Sequence, residues 1–427
     1  MSSTLQTTES KPRAGTFAAL RHRNFRLMWF SLLVSNSGTW LQSVAQDYVV
    51  YRLTGRALDL GFVNVVRALP LITLSFFGGT IADRMDRRKL LLATQTLFAL
   101  AAAVLGFLVQ THAVQVWHVV VLSFLSSVLL AVDQPTRQAL IPHLVPRKDL
   151  ANAIALNSVT FTGAAAIGPA IAGPLVAAVG LPWGFYLNAL SYGAVIWAVW
   201  ALQLPPASRP RQTEPVVQAV LSGLRYVVAS PALLLLVSLL TMFSLFAVPY
   251  QNLLPVFAAR VFHGGVGTLG YLRAAPGAGA LTGGFLLAHH AHFRRKGWLA
   301  LGGGMGFCLA LLAFCAIQWL PGALLALLLA GILSTVFTST VQTLLQHLAS
   351  DAMRGRVMSL FTVAVIGMWP LGTLPLSWAA DRLGVAVATA LGAGVAGLYM
   401  LAVALLARRR VERLQTEALR DEEAAST

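Results

Sequence analysis

The four charged side chains set deepest in the long apolar runs of this sequence are Asp47, Arg67, Asp133 and Arg273. An ionisable group at the centre of a membrane helix costs about 2.5–3.5 kcal/mol on insertion scales, so each is a functional candidate by default. Asp47 lies near the end of the first run and Arg67 some way into the second. Their difference in depth, under about 10 Å at the helical rise of 1.5 Å per residue, is within reach of an arginine side chain. An Asp47–Arg67 ion pair is expected, either switchable or static. Arg273 has no obvious carboxylate neighbour, so it either binds an anionic group or caps carbonyls freed at Pro276. Asp47 and then Asp133 are the carboxylates placed to take up a proton. Neutral polar residues in the runs are candidates to contact a small molecule: Asn36, Gln42, Gln46, Asn157 and Thr160, with Tyr250 and Asn252 beside the helix breakers Pro249 and Pro255.

Other chemistry has no visible machinery. There is no Gly-rich phosphate loop ending in Lys-Ser/Thr, and no nucleophile elbow or zinc-protease motif. His289, His290 and His292 stand beside Arg294, Arg295 and Lys296, whose charge repels a metal ion, so no metal site and no enzyme activity are expected. Cys308 and Cys315 read as small core hydrophobes.

The elements that position these residues are membrane helices. The 427 residues are 57% hydrophobic and 11% charged, with mean hydropathy +0.72; soluble domains carry about 25% charged residues. Twelve apolar runs are long enough to cross a bilayer: residues 25–51, 58–82, 90–110, 114–140, 152–179, 182–203, 231–259, 267–290, 297–318, 321–347, 355–379 and 383–407. They are too long and too uniformly apolar for barrel strands. The net charge of +16 comes from 31 Lys and Arg. With a cytoplasmic N-terminus, most of them fall at cytoplasmic ends and loops. Arg52, Arg56, Arg260 and Arg382 lie outside, and Arg67 and Arg273 lie within spans. This bias predicts both termini in the cytoplasm, and it assigns the basic charge to topology and anionic lipid headgroups, not nucleic acid. Residues 1–24 lack a cleavable signal, so the first span directs insertion.

The sequence repeats at an offset of about 205 residues. Arg67 and Pro70 match Arg273 and Pro276; Gly78 and Gly79 match Gly283 and Gly284; Gln138 and His143 match Gln342 and His347. Gly168-Pro169 in the fifth run stands where the eleventh has Gly367 to Pro370. Parallel repeats of this kind build transporters from two six-helix halves. The predicted organisation is an N-terminal segment 1–24, a first half 25–203, a linker 204–230 with four prolines and a short amphipathic helix, a second half 231–407, and a tail 408–427.

Between the second and third runs lies a short charged loop with Gly79, Asp83, Arg84, Asp86, Arg87, Arg88 and Lys89. Gly-x3-Asp-Arg-x2-Arg-Arg in that position resembles the signature of the major facilitator superfamily. The wider chain resembles its enterobactin-exporter and macrolide-type efflux group. The resemblance is carried by Phe25-Arg26-Leu27, Gly38 to Gln42, Val44 to Gln46, Leu53 to Gly55, Asp133 to Ala139, Leu144 to Pro146, Asn152-Ala153, Gly168-Pro169, Leu254-Pro255 and Arg354 to Val357. It implies an all-α polytopic fold of twelve transmembrane helices in two six-helix pseudo-repeats. It also implies export of a small amphiphile, a drug or siderophore, by alternating access with proton antiport, no bound cofactor, and a monomer in the bacterial inner membrane. An importer on the same fold is the alternative, and a non-transporting receptor a third reading. The resemblance further suggests a gate on the cytoplasmic side built from Gly79, Asp83, Arg84, Arg87, Arg88, Asp133 and Arg137. One departure stands out. The group often carries Phe-Asn-x2-Arg before Gly-Pro in the fifth span, where this chain has Phe161, Thr162 and Ala165, which implies a different or more apolar cargo.

Overall fold

Membrane-buried backbone must satisfy its own polar groups, and a helix does so within one segment. A computed structural model describes residues 17–202, 216–289 and 295–406, apart from the side chains of residues 72, 75–84, 161–162, 165–166, 216–220 and 366. Among the described residues all regular structure is helical. The first half holds α1 (Arg23–Thr54), α2 (Ala57–Arg84), α3 (Arg87–Gln110), α4 (Val116–Leu144), α5 (Leu150–Val179) and α6 (Leu181–Ala201). A linker helix α7 (Val216–Ala229) follows. The second half holds α8 (Pro231–Val261), α9 (Val266–His289), α10 (Lys296–Ala316), α11 (Leu320–Leu348), α12 (Asp351–Leu383) and α13 (Val385–Leu406). The twelve long helices occupy the twelve expected runs. By length and hydropathy seven qualify outright as membrane spans: α3, α4, α8, α10, α11, α12 and α13. Of the other five, α1 holds Asp47, α2 holds Arg67 and α9 holds Arg273.

The two halves pack alike. In the first, α3 lies on α6, α2 on α4, and α1 on α5 and α6; in the second, α10 lies on α13, α9 on α11, and α8 on α12 and α13. Between the halves α5 packs on α9 and α2 on α12, the same pair of positions exchanged. Small residues bring backbones together, as in many membrane bundles. A Cβ on Gly173 of α5 would stand 2.4 Å from Gly270 Cα of α9, and one on Gly331 of α11 would stand 2.1 Å from Pro276 O of α9.

α8 and α12 each depart from α-helical winding. Phe243–Ala247, Phe257–Val261 and Val363–Gly367 are π turns. Proline at 249 has no N–H for the carbonyl of Leu245, one turn earlier. That carbonyl faces Gly372 of α12, where a Cβ would stand 1.7 Å away.

The bundle has two ends, one carrying the α1–α2 turn and the other the α2–α3 turn. At the α2–α3 end, Asp86 caps α3 by accepting from the backbone N–H of Arg88 (2.9 Å) and Lys89 (3.3 Å). The approach to α1 is pinned to the start of α5: Ala19 N–H donates to Asn152 Oδ1 (2.9 Å), and His22 Nε2 sits 2.8 Å from Asp149 Oδ2. α7 lies against the start of α12, with Gly223 beside Arg356 and Tyr226 Oη accepting from Ser350 N–H at 3.3 Å. Residues 1–16, the linker prolines, His290, His292, Arg294 and the tail lie outside the described residues.

Candidate functional site

A cavity lies inside the first half, walled by α1, α2, α3, α4 and α6. It encloses about 730 Å³, counting its open mouth. Gln42, Gln46, Arg67, Gln95, Ser123 and Arg137 stand on its wall. So do Asn188 and Tyr192 of α6. Several of these groups fix one another. Asn188 Nδ2 donates to Gln42 Oε1 at 2.7 Å, and Gln46 Nε2 to Ser123 Oγ at 3.0 Å. Phe98 and Tyr192 stack at 5.3 Å between ring centroids, 15° from parallel.

Behind the wall, Asp133 is fully buried. Its Oδ1 accepts from Thr94 Oγ1 and Gln95 Nε2, both at 2.8 Å. Its Oδ2 faces Arg137 Nη2 at 2.6 Å, one turn along α4, as an ion pair without hydrogen-bond alignment. A buried charge is tolerated when it is paired: Asp133 has its ion pair through Oδ2 and its two hydrogen bonds through Oδ1.

Of the expected cluster of Asp83, Arg87 and Asp133, only Arg87 and Asp133 have described side chains. The side chains of Gly79, Asp83 and Arg84 lie outside the described residues. Asp133 turns to its own helix and to α3. Arg87 Nη1 donates to Ala139 O at 3.2 Å, and Arg88 Nη2 donates to Trp200 O. These two arginines therefore tie the start of α3 to α4 and α6.

The expected Asp47–Arg67 pair is replaced by a pair between the halves. Arg273 Nη2 of α9 holds Asp47 Oδ2 of α1, and Arg273 Nη1 donates to Ser43 Oγ at 3.2 Å. Depth along the membrane pointed to Arg67, and the partner is its counterpart in the sequence repeat, Arg273. Rotation about the helix axis decides which neighbour is met, and Asp47 faces α9. Further bridges between the halves lie at the same α1–α2 end. Asp381 of α12 accepts from the N–H of Ala57 (2.7 Å) and of Leu58 (2.9 Å). Those are orphan donors at the first turn of α2, and a carboxylate there also meets the positive end of the helix dipole. Arg260 Nη2 donates to Gly55 O at 2.7 Å, with its guanidinium 5.9 Å from the Tyr51 ring centre. A Cβ on Gly61 would stand 2.8 Å from Ser377 Oγ.

Other candidates are placed elsewhere. Asn36, Asn157 and Thr160 do not line the cavity; Thr160 Oγ1 donates back to Leu156 O of its own helix at 2.9 Å. Tyr250 is buried 6.1 Å from the Phe307 ring, and Asn252 Nδ2 donates to Thr373 Oγ1 at 2.8 Å, joining α8 to α12. Both belong to packed helix contacts here. Three residues stand outside the sequence expectations: Gln95, Asn188 and Asp381. Gln95 with Thr94 is a polar pair within an apolar run, which is a usable signal. Asp381 sits at a helix end, where charge is ordinary, so nothing in its local sequence marks it as a cap for a distant helix.

Comparison with known proteins agrees with this architecture. The profile of a family described as transmembrane secretion effector matches residues 14–425. The staphyloferrin A transporter of Staphylococcus aureus is 26% identical over 350 residues, 82% of this chain and 87% of its own length. The enterobactin exporter EntS of Escherichia coli O81 is 28% identical over 400 residues, covering 91% and 93%. Among solved structures, a bacterial homologue of the human lysosomal transporter Spinster, inward-facing and unoccupied, superposes with TM-score 0.68 at 16% identity, covering 93% of this chain and 98% of that one. A POT family transporter in complex with 5-aminolevulinic acid superposes with TM-score 0.69 at 13% identity, covering 95% and 100%. These structures share the fold.

Proposed function

The chain belongs to the transmembrane secretion effector family of the major facilitator superfamily, and from that premise we propose that it is a secondary active exporter of a small amphiphilic molecule, siderophore-like or drug-like. The observation that carries the proposal is a polar, arginine-lined cavity in a bundle whose halves are bridged at one end. Alternating access requires an end that seals and reopens around a fixed site. The names of the enterobactin exporter and staphyloferrin A transporter support a siderophore-like cargo.

The excess of Lys and Arg at the α2–α3 end supports a cytoplasmic position for that end and for both termini. The α1–α2 end is then external, and the conformation is the one that loads cargo from inside. Asp47 supplies the coupling to protons. Opening the outer end separates Asp47 from Arg273 and exposes the carboxylate to protonation from outside; when the outer end closes and the pair re-forms, that proton leaves into the inward-open cavity and so to the cytoplasm, opposite to the cargo. Asp133, held by Arg137, is a second proton site. The protein works as a monomer in the bacterial inner membrane.

Inverted membrane vesicles with and without an imposed proton gradient test this reading, after a knockout and an overexpressing strain have been screened against toxic compounds and secreted metabolites to find the cargo. Gradient-driven accumulation, several-fold above vesicles lacking the protein, is expected. Accumulation only in right-side-out vesicles would make it an importer. Binding without accumulation would make it a receptor.

A further inference from the structure

The two arginines that the sequence repeat places in equivalent positions are in different electrostatic states. Arg273 is neutralised by Asp47. Arg67 is half-buried on the cavity wall, and among the described residues it takes no ion pair or hydrogen bond. The other guanidinium on the wall, Arg137, is matched by Asp133. The cavity therefore keeps one uncompensated positive charge, at Arg67. A partly buried cation without a counter-charge is costly to hold, and an arginine is well suited to grip a carboxylate through two parallel N–H groups.

A second unmet group shares the wall. Gln95 is buried, and its Nε2 is committed to Asp133. That bond fixes the side chain, and its Oε1 is left without a donor. A buried acceptor without a donor carries a desolvation penalty that a ligand hydroxyl or N–H relieves. Phe98 and Tyr192 stand on the same wall, with Phe98 on α3 almost one turn beyond Gln95.

We propose that this cavity is the cargo's acid subsite: Arg67 binds a carboxylate of the transported molecule, and Gln95 Oε1 accepts a hydroxyl of the same molecule. The proposal rests on the exporter reading only for the word cargo. The subsite itself follows from the unmet charge and the unmet acceptor. Arg273, which the sequence made the candidate anion binder, holds the halves together instead. The cargo class is thus a hydroxy acid, and a flat aryl body would lie along Phe98 and Tyr192.

The test is direct binding to the full chain in nanodiscs, by calorimetry, with 3-hydroxybenzoate, benzoate and 3-hydroxybenzamide as probes. The wild type should bind the hydroxy acid best, with loss of the hydroxyl or of the charge each weakening binding about tenfold, the scale of one hydrogen bond with a charged or buried partner. Arg67→Gln should abolish the preference for acid over amide, Arg67→Lys should keep most of it, and Gln95→Met should erase the difference between the hydroxy acid and benzoate. Equal affinity of the wild type for acid and amide would overturn the proposal without any variant, and so would unchanged acid binding by Arg67→Gln. The same preparations in vesicles separate the two readings. Acid binding with no accumulation of any compound sinks export and leaves the subsite standing. Accumulation of a neutral amphiphile, unaffected by Arg67→Gln, sinks the subsite and leaves export standing.

Discussion

Asp47 and Arg273 neutralise each other across the two halves with side-chain exposures of 8% and 12%. Removing one partner strands the other, and for a buried pair the cost is on the order of 3–5 kcal/mol. Asp47→Asn should therefore destabilise the sealed state and make thiols introduced at residues 55 and 56 react faster with an impermeant reagent. Asp47→Asn combined with Arg273→Gln should recover much of the loss, because no charge is then stranded. Additive effects of the two substitutions in thermal unfolding would show that the pair carries no coupling. At this scale the sequence was informative about which residues are unusual and less so about whom they meet. All four embedded charges were visible against their apolar surroundings. The Asp47–Arg273 pairing was not, because Arg273 stands 226 residues from Asp47, and spacing along a chain measures depth without measuring which way a helix is turned.

Pro249 in α8 and Gly372 in α12 form one unit across two elements. The proline leaves the Leu245 carbonyl without its intrahelical donor, and the glycine lets α12 approach that carbonyl. With a Cβ 1.7 Å from Leu245 O, Gly372→Ala must push the helices apart. Such overpacking costs about 1–3 kcal/mol and should appear as a lower melting temperature in detergent. Gly394→Ala is the control, since a Cβ there meets nothing within 4 Å; equal melting of the two variants would contradict the account. The helices themselves were legible, since each long apolar run became one. The π turns were not. A missing proline N–H can be absorbed by a kink, a bulge or a tightened turn, and the choice depends on the neighbouring helix. The linker helix was legible from its amphipathic pattern, while its seat against the start of α12 depends on contacts far along the chain.

The whole molecule is two similar bundles joined by exchanged pairs, α5 on α9 and α2 on α12. The offset of about 205 residues announced that duplication, because matched motifs recur in matched helices. It did not announce that the copies would diverge electrostatically, one arginine bound to the opposite half and the other facing a cavity. Where α5 crosses α9, Gly173 and Gly270 meet so closely that neither has room for a Cβ. A junction made of backbone has no rotamer to flip, so thermal motion of side chains cannot briefly unblock it. Leakage of ions past it then requires the two helices to separate bodily. Gly270→Ala holds the helices apart permanently. Cargo-free vesicles carrying it should dissipate an imposed proton gradient several-fold faster than wild-type vesicles, and an unchanged decay would place the ion barrier elsewhere.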